Sequence, residues 1–233
     1  MYWEITQKKN YYLMSQEKIF FNYCERSSLD FFSEPLNSLT NFFFILVSII
    51  LLYQYPKRNK YIALIIFFIG VSSFLFHTIP ISLFGLLDIF FIMTFIVFYI
   101  CFLLKLFFNY SLISSIIYAH IFLIICYIFG KILDDTILGT TAFYIPIVLI
   151  IYLFYFLSKK RQNLLNSNLI QISALVFSLS TLFRFLDIYL CSNISIGTHF
   201  IWHILNSLTL FLLAKFYYLN STEPPQKNQP NPR

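Results

Sequence analysis

The chain has 233 residues, 59% of them hydrophobic and only 11% charged, with 30 Phe, 17 Tyr and a net charge of +6. Soluble domains carry about 25% charged residues, so this composition excludes a surface exposed to water on all sides and points to a polytopic membrane protein. The positive charges fall in short clusters between apolar runs, where they read as topology signals beside anionic head groups and not as a nucleic-acid surface.

Residues 1–37 form an arm of mixed polar and aromatic character. It lacks a basic start followed by an apolar core, so no cleavable signal peptide is expected. Carboxylates and amides crowd residues 22–41. One reading is an oxygen-ligand cation site; the other is a solvated helix start with capping residues.

Seven apolar segments follow, near the 20 or so residues that a spanning helix needs: 39–53, 61–78, 84–105, 112–129, 141–157, 169–190 and 197–219. The first is short unless its polar start, 37–41, lies in the interface or faces protein. The connections are short, so successive helices run antiparallel. The expected fold is all-α: residues 38–219 make one seven-helix transmembrane bundle, with no room for a soluble module and no internal repeat. The tail, 220–233, is rich in Pro, Asn and Gln and is expected to be disordered. The bilayer is the expected partner; no obligate protein partner is evident.

Orientation follows from Lys and Arg in the loops. Lys57, Arg58, Lys60, Lys105, Lys159, Lys160, Arg161 and Lys215 fall on one side. That side is expected to be cytoplasmic, with the N-terminus outside; in a bacterium the membrane would be the inner one. Cys24, Cys101, Cys126 and Cys191 are scattered with no C-x-x-C pair, and read as small hydrophobes, not as a disulfide framework.

The ionisable residues within the spans are the functional candidates, because such groups are expensive in hydrocarbon. His199 and His203 lie at i and i+4 in an apolar run, on one helix face. His77 ends the second span and Asp88 starts the third, so the antiparallel order brings all of them to the side of the N-terminal arm. A lone histidine in such a helix is a hydrogen-bonded core residue, but a pair at i,i+4 with a third nearby reads as a three-imidazole zinc site with one open position. Such a zinc acidifies a water and polarises a carbonyl. Asp88 is then the candidate proton acceptor, or a residue orienting a histidine. Ser73, one turn before His77, is either a donor to a developing oxyanion or bonded to the carbonyl four residues back. His120 has no partner in reach and reads as structural. Arg184 and Asp187, at i,i+3, read as a salt bridge hidden from lipid, and Lys131, Asp134 and Asp135 as an exposed loop.

Together these blocks resemble a known family. Tyr23-Cys24-Glu25-Arg26, Glu34-Pro35-Leu36-Asn37, Thr40-Asn41, Ser73-x-x-x-His77, Asp88 and His199-Phe200-Ile201-Trp202-His203 are similar in order and spacing to the alkaline ceramidases, and more closely to their bacterial members. These fall in a superfamily of seven-span hydrolases that includes the progestin/adipoQ receptors. The resemblance covers residues 22–219. It implies a zinc held by His77, His199 and His203, an active site completed by Asp88 and Ser73, and hydrolysis of the ceramide amide to a sphingoid base and a fatty acid. Another N-acyl or ester lipid is the open alternative where sphingolipids are not made. In eukaryotic members the arm binds calcium; the matching positions here are Asn22, the carbonyl of Tyr23, Glu25, Ser27 and Glu34. Asn22 and Ser27 stand where those members have an aspartate and an asparagine, which removes a charge and a good oxygen ligand, with Asp30 nearby to compensate. A competing expectation is a lipid-binding or receptor-like bundle with a structural zinc and no turnover. A transporter or retinal-type pump is disfavoured, since Lys215 lies near the end of the last span and no Gly/Pro-broken helix pair is evident.

Overall fold

Inside hydrocarbon no water is available to the backbone, so a spanning segment must satisfy its amides internally, as a helix does. The computed structural model describes residues 23–28, 30–161 and 163–221. Among them are seven helices long and apolar enough to cross a membrane: α1 (Pro35–Gln54), α2 (Tyr61–Thr78), α3 (Ser82–Phe108), α4 (Leu112–Ile132), α5 (Gly139–Lys159), α6 (Asn168–Leu190) and α7 (His199–Asn220). No strand occurs among the described residues. Each helix packs on its neighbour in sequence, and α7 closes the ring against α1. The expected tail from residue 222 onward, and Asn22, lie outside the described residues.

The first span starts earlier than the apolar pattern indicates. Its polar start is helical from Pro35, a residue suited to a first helical turn. Asn37, Ser38 and Asn41 are fully buried, so this start faces protein, and the Asn41 amide donates to the Asn37 carbonyl at 2.8 Å. Here α1 and α2 approach closely. A Cβ on Gly70 would lie 2.9 Å from Phe44 Cβ and 3.0 Å from the Asn41 carbonyl oxygen. In α5 a 3₁₀ turn, Gly139–Tyr144, precedes the α-helical part. The lipid-facing side is plainest on α4, where Ile113, Ile117, Ile121, Ile124 and Ile128 are all exposed.

The two ends of the bundle differ. At one end basic residues hold helix termini: Arg58 donates to the Ser221 carbonyl (3.2 Å) and Arg161 to that of Leu106 (2.8 Å). At the other end the described part of the arm, from Tyr23 onward, lies across α2, α6 and α7. Phe32 N–H donates to the Thr78 carbonyl at 3.0 Å, and Cys24 forms a disulfide with Cys191, 167 residues away. This corrects the reading of all four cysteines as small hydrophobes. Only Cys101 and Cys126 are free. The pairing escaped the spacing argument because the arm and the end of α6 become neighbours only when the ring of helices closes.

Candidate metal centre

The ring closure sets the end of α2 beside the start of α7. His77 occupies the last turn of α2; His199 and His203 occupy the first two turns of α7, and all three are buried. Their ligand atoms lie within 4.8 Å of one another. The ring centroids are 5.4 Å apart for His77–His199, 4.8 Å for His77–His203 and 4.6 Å for His199–His203.

Each imidazole is set by a partner from elsewhere. His77 Nδ1 pairs with Glu34 Oε2 at 2.8 Å, and His203 Nδ1 with Thr40 Oγ1 at 3.0 Å. Such bonds choose which ring nitrogen faces the centre and raise its basicity. His199 is placed through its backbone: Asp187 Oδ1 accepts from the N–H of Thr198 (2.7 Å) and of His199 (2.9 Å). His199 Nδ1 and His203 Nε2 are buried with no hydrogen-bond partner. Buried polar atoms are rarely left so; two aimed inward beside a third imidazole fit a divalent metal with nitrogen ligands.

Asp88 and Ser73 line the same cavity, along with Tyr144, Arg184, Trp202 and Asn206. Ser72, not Ser73, bonds the carbonyl four residues back, at 2.7 Å to Phe68. The Ser73 side chain lies beside the Asp88 carboxylate in this cavity, and Asp88 Oδ1 has no hydrogen-bond partner. Asp88 is half-buried, opening on the cavity.

The expected Arg184–Asp187 salt bridge is not how those charges are used. Asp187 caps α7 and also accepts from Cys24 N–H at 3.2 Å. Arg184 turns into the cavity, 5.1 Å from the centroid of the Tyr144 ring and 5.4 Å from that of Trp202. It also hydrogen-bonds with the Tyr23 side chain. His120 is exposed on α4 and pairs with the Ile116 carbonyl at 2.8 Å. Lys131 and Asp134 form an exposed pair at 3.6 Å.

The arm's candidate calcium ligands have other uses. Glu25 accepts the Leu36 and Asn37 N–H groups, both at 2.8 Å, and so caps α1. Glu34 is fully buried and shared among Arg26, His77 and Asn37, whose amide donates to Oε2 at 2.9 Å. The Tyr23 carbonyl accepts Arg26 N–H at 3.2 Å. Ser27 and Asp30 are exposed. Both oxygens of each glutamate are engaged and a guanidinium sits against Glu34, so among the described residues this set does not fit a calcium ion. Burial alone would raise the Glu34 carboxyl, but the hydrogen bond and charge of His77, then Arg26 and Asn37, bring it below the usual carboxylate range. Burial pushes the Glu25 carboxyl up against its two backbone hydrogen bonds, and burial pushes the Tyr23 hydroxyl well above its usual range. The Tyr23 ring covers the triad, 4.1 Å from the His199 ring and 5.0 Å from that of His77.

Sequence reasoning missed the parts played by Glu34, Thr40 and Asp187. Glu34 and Thr40 sit 43 and 163 residues from their histidines, so no local pattern links them. For Asp187 a signal existed: an acid a short loop before a helix start is a capping candidate.

A second, apolar cavity adjoins the first, the two sharing Ile69, Ile92, Tyr144 and Asn206 as walls. It is walled deeper down by Ile96, Tyr99, Leu103, Phe177, Leu210 and Leu213. Between Ile92 and Leu103 it follows α3 for roughly 16 Å at helical rise, about half the thickness of a hydrocarbon core.

A protein-family model described as Ceramidase matches residues 18–231. No curated protein matches the chain.

Proposed function

This chain belongs to the ceramidase family, and from that premise we propose that it is a zinc-dependent hydrolase cleaving the amide of ceramide or a related N-acyl lipid to a fatty acid and an amine. The observation that carries the reading is the convergence of three buried imidazoles, two of which line a polar cavity that adjoins an apolar one inside the bundle. The apolar cavity holds the acyl tail and sets the carbonyl at the polar end. A zinc ion held by His77, His199 and His203 supplies a Lewis acid and lowers the pKa of water.

Asp88 faces that position with a free carboxylate oxygen. It takes the proton of the attacking water as the new C–O bond forms, then returns a proton to the amine nitrogen as the C–N bond breaks. Ser73, beside Asp88 on the cavity wall, orients this base or donates to the developing oxyanion. Tyr23, Tyr144 and Trp202 exclude bulk water.

The site end of the bundle faces outward in this reading, and the C-terminus is cytoplasmic. The Cys24–Cys191 bridge supports this, because disulfides persist in oxidising compartments. The basic loops at the other end agree with it.

Metal analysis of purified protein, joined to a screen of N-acyl lipids for released fatty acid, tests the proposal. The expected result is one zinc per chain and fatty acid release, both lost in His203→Ala. Lipid binding that survives Asp88→Ala, with no turnover of any N-acyl lipid, would favour the receptor-like alternative.

A further inference from the structure

We propose that Arg26 is a built-in cation for the arm, holding the Glu34 carboxylate against His77 so that the histidine triad is organised without calcium. The inference rests on reading the three histidines as metal ligands. Glu34 is fully buried and the Arg26 side chain only 10% exposed. Arg26 Nε and Glu34 Oε1 form an ion pair, while Oε2 of the same carboxylate reaches His77 Nδ1. One carboxylate thus bridges a fixed cation to a metal-site imidazole.

Burying a charge is costly unless it is paired and hydrogen-bonded, and Arg26 supplies that pairing to Glu34. A carboxylate meeting two partners through two oxygens transmits the position of one to the other. Arg26 is itself clamped. Its guanidinium carbon lies 5.2 Å from the centroid of the Tyr23 ring and 4.9 Å from that of Phe76. Cation–π contacts of this kind favour Arg over a hydrated ammonium. A divalent ion at this end of Glu34 would have to displace or repel that guanidinium. Arg26 is therefore a positioning residue, acting on the metal site through Glu34.

The test uses full-length protein in detergent, in buffer stripped of divalent ions by a chelating resin and then supplied with zinc alone or zinc plus millimolar calcium. The wild type is expected to bind no calcium and to show the same melting temperature and zinc affinity in both. Arg26→Gln, acting through Glu34, is expected to lose zinc affinity by a part of the about 10–100-fold that removing the partner behind a metal ligand costs. Arg26→Lys should recover part of it. In a Glu34→Gln background, Arg26→Gln should change zinc affinity little further, whereas a merely packing role would cost the same in both backgrounds. Stoichiometric calcium binding that raises the wild-type melting temperature overturns the proposal. So does an Arg26→Gln protein that holds zinc as tightly as wild type. If the wild type takes up no zinc, the metal reading itself fails, while the calcium comparison still decides whether the arm is self-sufficient. If Arg26→Gln does not fold, Arg26→Lys and the wild-type calcium titration decide it.

Discussion

Asp187 Oδ1 accepts the backbone N–H of His199 at 2.9 Å, so the acid that ends α6 starts the helix carrying two of the three imidazoles. The same carboxylate accepts from Thr198 and, through Oδ2, from Cys24. One side chain thus joins the arm, the α6 end and the metal helix. Gly197 makes this possible: its φ is +62°, and a Cβ there would run into Asp187 and Cys24.

Replacing Asp187 with Asn weakens three hydrogen bonds to a charged acceptor. The expected loss is about 1–3 kcal/mol of stability, with weaker metal retention because His199 loses its anchor. Gly197→Ala should be of similar size, through backbone strain. Thermal denaturation followed by metal analysis of the surviving folded fraction checks both; an Asp187→Asn protein with wild-type melting would rule out the capping role.

Asp88→Asn keeps the size and polarity of the side chain but removes its ability to take a proton. Fatty acid release should fall by about 10²–10⁴-fold, with bound zinc unchanged. His77→Ala should lose both. Measuring zinc and turnover on the same preparations separates the two roles, and an active Asp88→Asn enzyme would exclude Asp88 as the base.

The disulfide should show in a thiol count. Of four cysteines, two should react in denaturant without reductant, and all four after reduction. Cys24→Ser/Cys191→Ser is expected to lose about 2–5 kcal/mol and to loosen the arm over His199. Four reactive thiols without reductant would remove the bridge and, with it, one support for the outward-facing arm.

Filling the deep cavity should shorten the acyl chain accepted. Leu103→Phe and Leu213→Phe place bulk in the wall furthest along α3 and α7 from the histidines. Zinc content should hold, while preference moves to shorter acyl chains in a competition assay of mixed N-acyl lipids. An unchanged chain-length profile would show that the tail lies elsewhere.

Much of this architecture is a property of the sequence alone. Seven long apolar runs, separated by short polar connections, require seven helices, because hydrocarbon leaves the backbone only the helix or the closed barrel, and barrel strands are shorter and alternate in polarity. Alternating direction then sends His77, Asp88, Asp187, His199 and His203 to one end, since each lies near a helix terminus and the connections are short. What the tertiary structure decided is which groups meet there. Glu34 on His77, Thr40 on His203, the Cys24–Cys191 bridge and the turning of Arg184 away from Asp187 all arise from contacts between segments distant in the chain. They depend on the closing of the ring by α7 against α1 and on the path of the arm across its end. Apolar periodicity states how much of a helix is buried; it carries no record of the neighbour it is buried against.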